Sequence, residues 1–314
     1  MISSAGAGRF GAVVTAMVTP FDDAGILDVD GAVTLARWLT AHGSDGLVVA
    51  GTTGEGPVLS DAELGELWRA VSEAVTVPVI AGTGSNDTRH SIECTKLAAD
   101  AGAAAALVVT PYYSRPSQAG LAAHFAAVAS ATALPVLLYD IPVRAGRKIA
   151  HDTMVHLARD VPTIVGVKDA AGDPAASARV VAETPDGFEL YSGDDALTLP
   201  LLAVGAVGVV SVASHWAGSE MGDVVAAFAK GDADGARMAN AALFESYDFE
   251  SSEAFPNPLP AKAACRVLGL PVGQCRLPLG VAPPELEERA RGVLRRLGRD
   301  VRTAAGASVG GSVG

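Results

Sequence analysis

The residue in this chain best suited to covalent chemistry is Lys168, which closes the apolar run Thr163-Ile-Val-Gly-Val-Lys168. In a strand, side chains alternate between faces, so Ile164, Gly166 and Lys168 share one face and Val165 and Val167 the other. If the first face is buried, the ammonium loses hydration, and burial disfavours the charged form of a lysine. A neutral amine can attack a ketone carbon and lose water to give an imine. The competing assignment is a strand-terminal lysine ion-paired with Asp169 or another neighbour. The other lysines, Lys96, Lys148, Lys230 and Lys262, fall in helical or loop contexts and read as solvated.

Groups able to hold and work a keto acid occur elsewhere. The turn Gly51-Thr-Thr-Gly-Glu-Gly56 offers backbone N–H groups and the hydroxyls of Thr52 and Thr53, which suit a carboxylate. A plain tight turn explains the same residues, and the spacing and lysine of a Walker loop are missing. In Val136-Leu-Leu-Tyr-Asp-Ile-Pro142, Tyr139 takes the inward parity and Arg144 follows. A phenol relays protons and a guanidinium clamps a carboxylate, although a core-edge tyrosine and a surface arginine would look alike. The loop Thr110-Pro-Tyr-Tyr-Ser-Arg-Pro116 sets Tyr112 beside Tyr113, a pair suited to a contact across an oligomer interface.

His42, His90, His124, His151, His156 and His215 show no metal-ligand spacing such as HExxH, most read as helix-surface residues, and no metal is implied. His215 alone directly follows a strand, where a single histidine is more often structural. Asp194 and Asp195 occupy a region where many barrels bind phosphate, and two carboxylates would repel it.

Such groups need a scaffold that brings strand ends together. Short β-branched runs bounded by Gly, Pro or Asp recur at Ala12 to Val18, Gly46 to Gly51, Val77 to Gly82, Ala106 to Thr110, Pro135 to Ile141, Thr163 to Lys168, Phe188 to Ser192 and Val207 to Val212. Between them, Val29 to Ala41, Asp61 to Val75, Thr88 to Ala101, Gln118 to Ala131 and Ala217 to Lys230 read as helices. Eight such units predict an α/β fold, a (β/α)8 TIM barrel over residues 10–230, with a doubly wound open sheet as the alternative. Asp232 to Phe249, Pro258 to Leu268 and Pro284 to Leu297 then predict a C-terminal helical appendage over 231–302, and 1–9 and 303–314 read as disordered tails.

The 314 residues carry 23 Lys and Arg against 35 Asp and Glu, a formal charge of -12 that gives no electrostatic support for a nucleic acid or anionic membrane partner. The apolar run from Leu197 to Val212 is broken by Pro200, Gly205 and Gly208, against a membrane span. Cys94, Cys265 and Cys275 form no CxxC pair or disulfide framework, which fits a reducing cytoplasm.

Taken together, Gly51-Thr-Thr-Gly-Glu55, Val109-Thr-Pro-Tyr-Tyr113, Leu138-Tyr-Asp-Ile-Pro142, Gly166-Val-Lys-Asp169, Ser192-Gly-Asp-Asp195 and Gly208-Val-Val-Ser211 closely resemble the dihydrodipicolinate synthases, of the N-acetylneuraminate lyase superfamily. The likeness runs from about Phe10 to about Glu285 and includes Asn257-Pro-Leu-Pro-Ala-Lys262. It implies a cofactor-free Schiff-base lyase that condenses pyruvate with aspartate semialdehyde in lysine and diaminopimelate biosynthesis. Lys168 would form the imine, Thr52 and Thr53 would hold the pyruvate carboxylate, and Thr52, Tyr139 and Tyr113 would relay protons, with Tyr113 reaching a neighbouring subunit. Arg144 would bind the semialdehyde carboxylate, while Gly193 and the carbonyl of Val210 would border the imine. The resemblance further implies a homotetramer, a dimer of dimers.

The chain departs from that pattern where it has Gly56-Pro57, and where Asp61, Leu64 and His90 replace two histidines and an acid of lysine-inhibited members. Weak or absent feedback by lysine is therefore expected. The rival readings are another pyruvate-dependent aldolase, such as N-acetylneuraminate lyase or a 2-keto-3-deoxy sugar-acid aldolase, and a non-catalytic keto-acid-binding barrel. Thr52, Thr53 and Arg144 favour a short carboxylate-bearing aldehyde over a polyol.

Overall fold

The short β-branched runs of the sequence become strands because each is buried on both faces, the setting in which parallel sheets are near-continuously apolar. The computed structural model describes residues 8–299 and 301. In chain order the elements are β1 (Val13–Ala16), α1 (Val29–Ala41), β2 (Gly46–Val49), α2 (Asp61–Ala74), β3 (Val79–Gly82), α3 (Thr88–Asp100), β4 (Ala105–Val109), α4 (Gln118–Ser130), β5 (Val136–Asp140), α5 (Pro142–Ala145) and α6 (His151–Asp160). There follow β6 (Ile164–Asp169), α7 (Pro174–Glu183), β7 (Glu189–Ser192), α8 (Thr198–Ala203), β8 (Gly208–Ser211) and α9 (Ser214–Ala229). Last come α10 (Ala233–Ala242), α11 (Phe244–Glu250), α12 (Leu259–Val267) and α13 (Pro284–Arg296).

The eight strands pair in sequence order, all parallel, and β8 closes on β1, so the sheet is a barrel and the open-sheet alternative falls. Val14, Val48, Ile80, Leu107, Leu137 and Val210 fill the barrel, with Phe10 and Tyr191 packed among them. A larger apolar layer, including Leu35, Trp68, Phe125 and Trp216, joins the sheet to the surrounding helices. Several helices start at an acid or serine that accepts a hydrogen bond from a first-turn amide: Asp28, Ser60, Asp87, Ser117, Asp173 and Asp232. Ser60 and Glu63 form a reciprocal capping box at α2.

Three features differ from the sequence expectation. The pairing of β5 with β6 steps from Val136↔Ile164 to Leu137↔Gly166, so Val165 is an extra residue in β6. That bulge turns Ile164 onto the outer layer, while Gly166 and Lys168 keep the inward parity. The stretch expected as one helix from Asp232 to Phe249 is two, broken at Leu243. The helix expected to begin at Ala217 begins at Ser214 and is kinked at Ala217, whose φ is -130° and ψ 33°.

Of the residues assigned to the tails, only Gly8 and Arg9 are among those described, and the amide of Arg9 donates to the Glu189 carboxylate. Residues 303–314 lie outside the described residues. Among the described residues, no helix is long and apolar enough to cross a membrane.

Candidate active site

Lys168 is the penultimate residue of β6, with Tyr139 of β5 on one side of it and Tyr191 of β7 on the other. Only 5% of its surface is exposed. Its Nζ lies over the Tyr139 ring, 4.2 Å from the centroid. The ion pair with Asp169 is not made. Asp169 turns the other way, accepting from Ser177 Oγ at 2.6 Å and from the Ala171 amide at 2.9 Å. Among the described residues no carboxylate comes within 4.0 Å of the Lys168 amine.

Tyr139 is fixed from its backbone, since its carbonyl accepts from both the amide and the hydroxyl of the buried Thr110. Its ring forms part of the wall of a cavity of about 660 Å³ at the C-terminal ends of the strands. Thr52, Tyr112, Arg144, Asn257 and Arg276 line the same cavity. Lys168 is not itself among the lining residues, but its amine lies against the Tyr139 ring that is. Arg144, on the one-turn helix α5, is exposed and carries its charge at the mouth. Burial pushes the Tyr112 phenol up from its ordinary pKa, so it stays protonated at neutral pH.

The turn bearing Thr52 and Thr53 is strained and heavily pinned. Ala50 and Glu55 flank it with φ of 58° and 56°, a left-handed conformation that costs a non-glycine residue ~1–3 kcal/mol. Thr19 Oγ1 donates to the Gly54 carbonyl at 2.6 Å, and Asn257 Nδ2 donates to Thr53 Oγ1 at 2.8 Å. A threonine hydroxyl that accepts from Asn257 has its own proton left to give. Glu55 points inward, pairs with Lys262 at 2.7 Å, and accepts from the Arg276 amide at 2.9 Å.

Lys262, expected to be solvated, is 1% exposed: its ammonium bonds the Gln274 carbonyl and lies over the Phe21 ring. The correction has a simple cause: α12 is buried around most of its circumference, so an interior partner, Glu55, had to accompany the lysine. Lys96 and Lys230 are exposed as expected, and Lys148 pairs with Asp140 at 3.6 Å.

Gly193 follows β7 and packs directly on the lysine. A Cβ there would sit 3.0 Å from Lys168 Cγ and 3.1 Å from Cε. Val210 lies on the inner face of β8 within the barrel core. Tyr113 stands apart from these residues, 90% exposed with φ of 71°, and does not line the cavity of its own chain.

The phosphate position of many barrels is filled from within, because Asp195 accepts from the amides of Val212 and Ala213 at 2.8 Å each. His215 is wholly buried and structural. Its Nε2 accepts from the Val18 amide, its Nδ1 donates to the Val212 carbonyl, and burial lowers its pKa to about 4. His124, expected on a helix surface, is also buried, and burial brings its pKa down to about 4.

Sequence reasoning missed Asn257 and Arg276 as residues of the cavity. Asn257 stood inside a recognisable motif, but only the fold carries it across to Thr53, 204 positions away.

A family model described as the dihydrodipicolinate synthetase family matches residues 9–296. A 4-hydroxy-tetrahydrodipicolinate synthase of Acidothermus cellulolyticus is 52% identical over 285 residues, covering 90% of this chain and 91% of the relative. One of Bacillus subtilis is 49% identical over 276 residues, 86% of this chain and 93% of the relative. Among solved structures, a dihydrodipicolinate synthase of Bacillus anthracis superposes with a TM-score of 0.88 at 44% identity, covering 92% of this chain and 98% of that one. A Cyanidioschyzon merolae enzyme with lysine bound gives 0.89 at 43%, covering 93% and 99%.

Proposed function

The chain belongs to the dihydrodipicolinate synthetase family, and on that premise we propose the reaction and the residues that carry it. The function is that of a 4-hydroxy-tetrahydrodipicolinate synthase, a lyase that joins pyruvate to L-aspartate 4-semialdehyde in lysine and diaminopimelate biosynthesis. The observation that carries the site assignment is the buried Lys168 amine, without a carboxylate partner among the described residues and set over the Tyr139 ring of the cavity wall.

Lys168 attacks C2 of pyruvate, and the ketone oxygen leaves as water. The protonated imine is the electron sink, so the methyl carbon gives up a proton with no further cofactor called for. Tyr139 and Thr52 carry that proton, and Tyr113 of a neighbouring subunit completes the relay. Thr53, its hydroxyl proton directed away from Asn257, binds the pyruvate carboxylate with Thr52. The enamine carbon then adds to the aldehyde, and the alkoxide takes up the relayed proton. Arg144 binds the carboxylate of the semialdehyde at the mouth. The substrate amine finally attacks the imine carbon, which closes the ring and frees Lys168. Gly193 and Val210 border the imine.

The assembly is a homotetramer, a dimer of dimers; support comes from Tyr113, a large side chain 90% exposed and of no use to its own cavity. We assign the protein to the cytoplasm, a reading supported by three buried cysteines that remain free thiols. Steady-state assays with aspartate semialdehyde and, separately, N-acetylmannosamine test the reaction. Turnover of the semialdehyde is expected, and turnover of the sugar alone would move the chain to a lyase of the neighbouring family.

A further inference from the structure

Three donor atoms converge at the edge of the cavity, two of them from residues that line it, at a place the condensation does not use. Asp61 is the first residue of α2, while His90 and Cys94 lie four residues apart on one face of α3. Their ligand atoms all fall within 4.8 Å of one another. His90 Nε2 is 3.5 Å from Asp61 Oδ1 and 3.1 Å from Cys94 Sγ.

Both neighbours approach the same ring nitrogen. In a nucleophile relay the acid and the thiol take opposite nitrogens of the imidazole. Here one nitrogen faces two partners, and a single N–H or lone pair satisfies one of them. An ion at the common centre satisfies all three. Tetrahedral zinc, with bonds of about 2.0–2.3 Å to N, O and S, sets its ligand atoms about 3.3–3.6 Å apart, against 3.5 Å and 3.1 Å for the two pairs at His90 and no pair beyond 4.8 Å. His90 and Cys94 line the cavity, and the Asp61 carboxylate is 63% exposed, so an ion has a path in.

We propose that Asp61, His90 and Cys94 bind one divalent transition-metal ion of the zinc class, with the remaining coordination position taken by water. The carboxylate, imidazole and thiolate form a mixed O, N and S set, which favours zinc or cobalt over magnesium or calcium. Neither HExxH nor CxxC spacing exists here, because the acid comes from a second helix and the His and Cys sit at i and i+4. On binding, the Cys94 thiol transfers its proton to solvent and its sulfur bonds the metal. The inference stands apart from the lyase assignment and survives or fails without it.

The test is cobalt titration of the reduced, tag-free full-length protein, followed by zinc competition. One cobalt per chain is expected, with a near-ultraviolet thiolate-to-metal charge-transfer band that zinc abolishes. Cys94→Ser removes the band, whereas Cys265→Ala, a change at a cysteine buried in α12, leaves it. His90→Ala and Asp61→Asn weaken zinc binding ~100-fold or more, since even partners behind metal ligands are worth 10–100-fold. His90→Gln serves as a second variant should His90→Ala fold poorly. Absence of the band, its persistence in Cys94→Ser, or unchanged affinity in the His90 and Asp61 variants overturns the proposal.

Discussion

Gly193→Ala should disable the enzyme without unfolding it. The new Cβ would lie 2.9 Å from Ala170 Cβ, 3.0 Å from Lys168 Cγ and 3.1 Å from Lys168 Cε. Carbon atoms rest ~3.5–4.0 Å apart, so the lysine stem must retreat by ~0.5–1 Å. Ala170 blocks the other direction, and the displaced stem draws Nζ away from its seat over Tyr139. A misplacement of ~1 Å in a catalytic group costs on the order of 100-fold in rate. The expected fall in kcat/KM for pyruvate is therefore ~10- to 100-fold, or ~1.4–2.7 kcal/mol of transition-state stabilisation. Overpacking costs the fold ~1–3 kcal/mol, which leaves a folded protein with a lowered Tm. Gly222→Ala, inside α9 where a Cβ meets nothing within 4 Å, is the control; it should keep wild-type kinetics and gain up to ~1 kcal/mol. The reasoning is refuted if Gly193→Ala loses less than about threefold, under ~0.7 kcal/mol, while Gly222→Ala behaves as stated.

Other outcomes follow from the same geometry. Lys262→Met strands the Glu55 carboxylate in the interior and should cost ~3–5 kcal/mol in chemical denaturation, whereas a loss within experimental error would mean the pair is dispensable. Asn257→Ala removes the donor that directs Thr53 and should raise KM for pyruvate by ~5- to 30-fold, the equivalent of ~1–2 kcal/mol, with little change in kcat. Glu63, held by hydrogen bonds from Arg276, has its pKa lowered from 4.5 to about 2. Its stabilisation is full above pH 4.5 and lost as pH falls through about 2, so the stability gap between wild type and Glu63→Gln should be level at neutral pH and close on acidification. With Asp61, Leu64 and His90 where lysine-inhibited members have two histidines and an acid, lysine should inhibit weakly or not at all; half-maximal inhibition below millimolar lysine would contradict this.

Much of the barrel was legible because its signals are local. Eight β-branched runs bounded by Gly, Pro or Asp marked the strands, and acids or serines marked several helix starts. Lys168 kept its predicted parity only because it sits beyond the bulge. Ile164, before the bulge, changed face, and nothing in a run of small and branched residues announces an extra residue. Lys262 was misread for a different reason. Lysines are solvated unless paired, and the partner Glu55 lies 207 positions earlier, in a turn whose own reading was occupied by its threonines. The same distance hid Asn257. Residue types and periodicity disclose which groups could act, whereas their pairing across the closed barrel depends on tertiary contacts.

The most direct measurement is peptide mass spectrometry after borohydride reduction in the presence of pyruvate. The account predicts a reduced pyruvyl adduct on the peptide carrying Lys168, absent in Lys168→Ala. An adduct on another lysine would contradict the assignment of Lys168, and no adduct at all would contradict the imine mechanism.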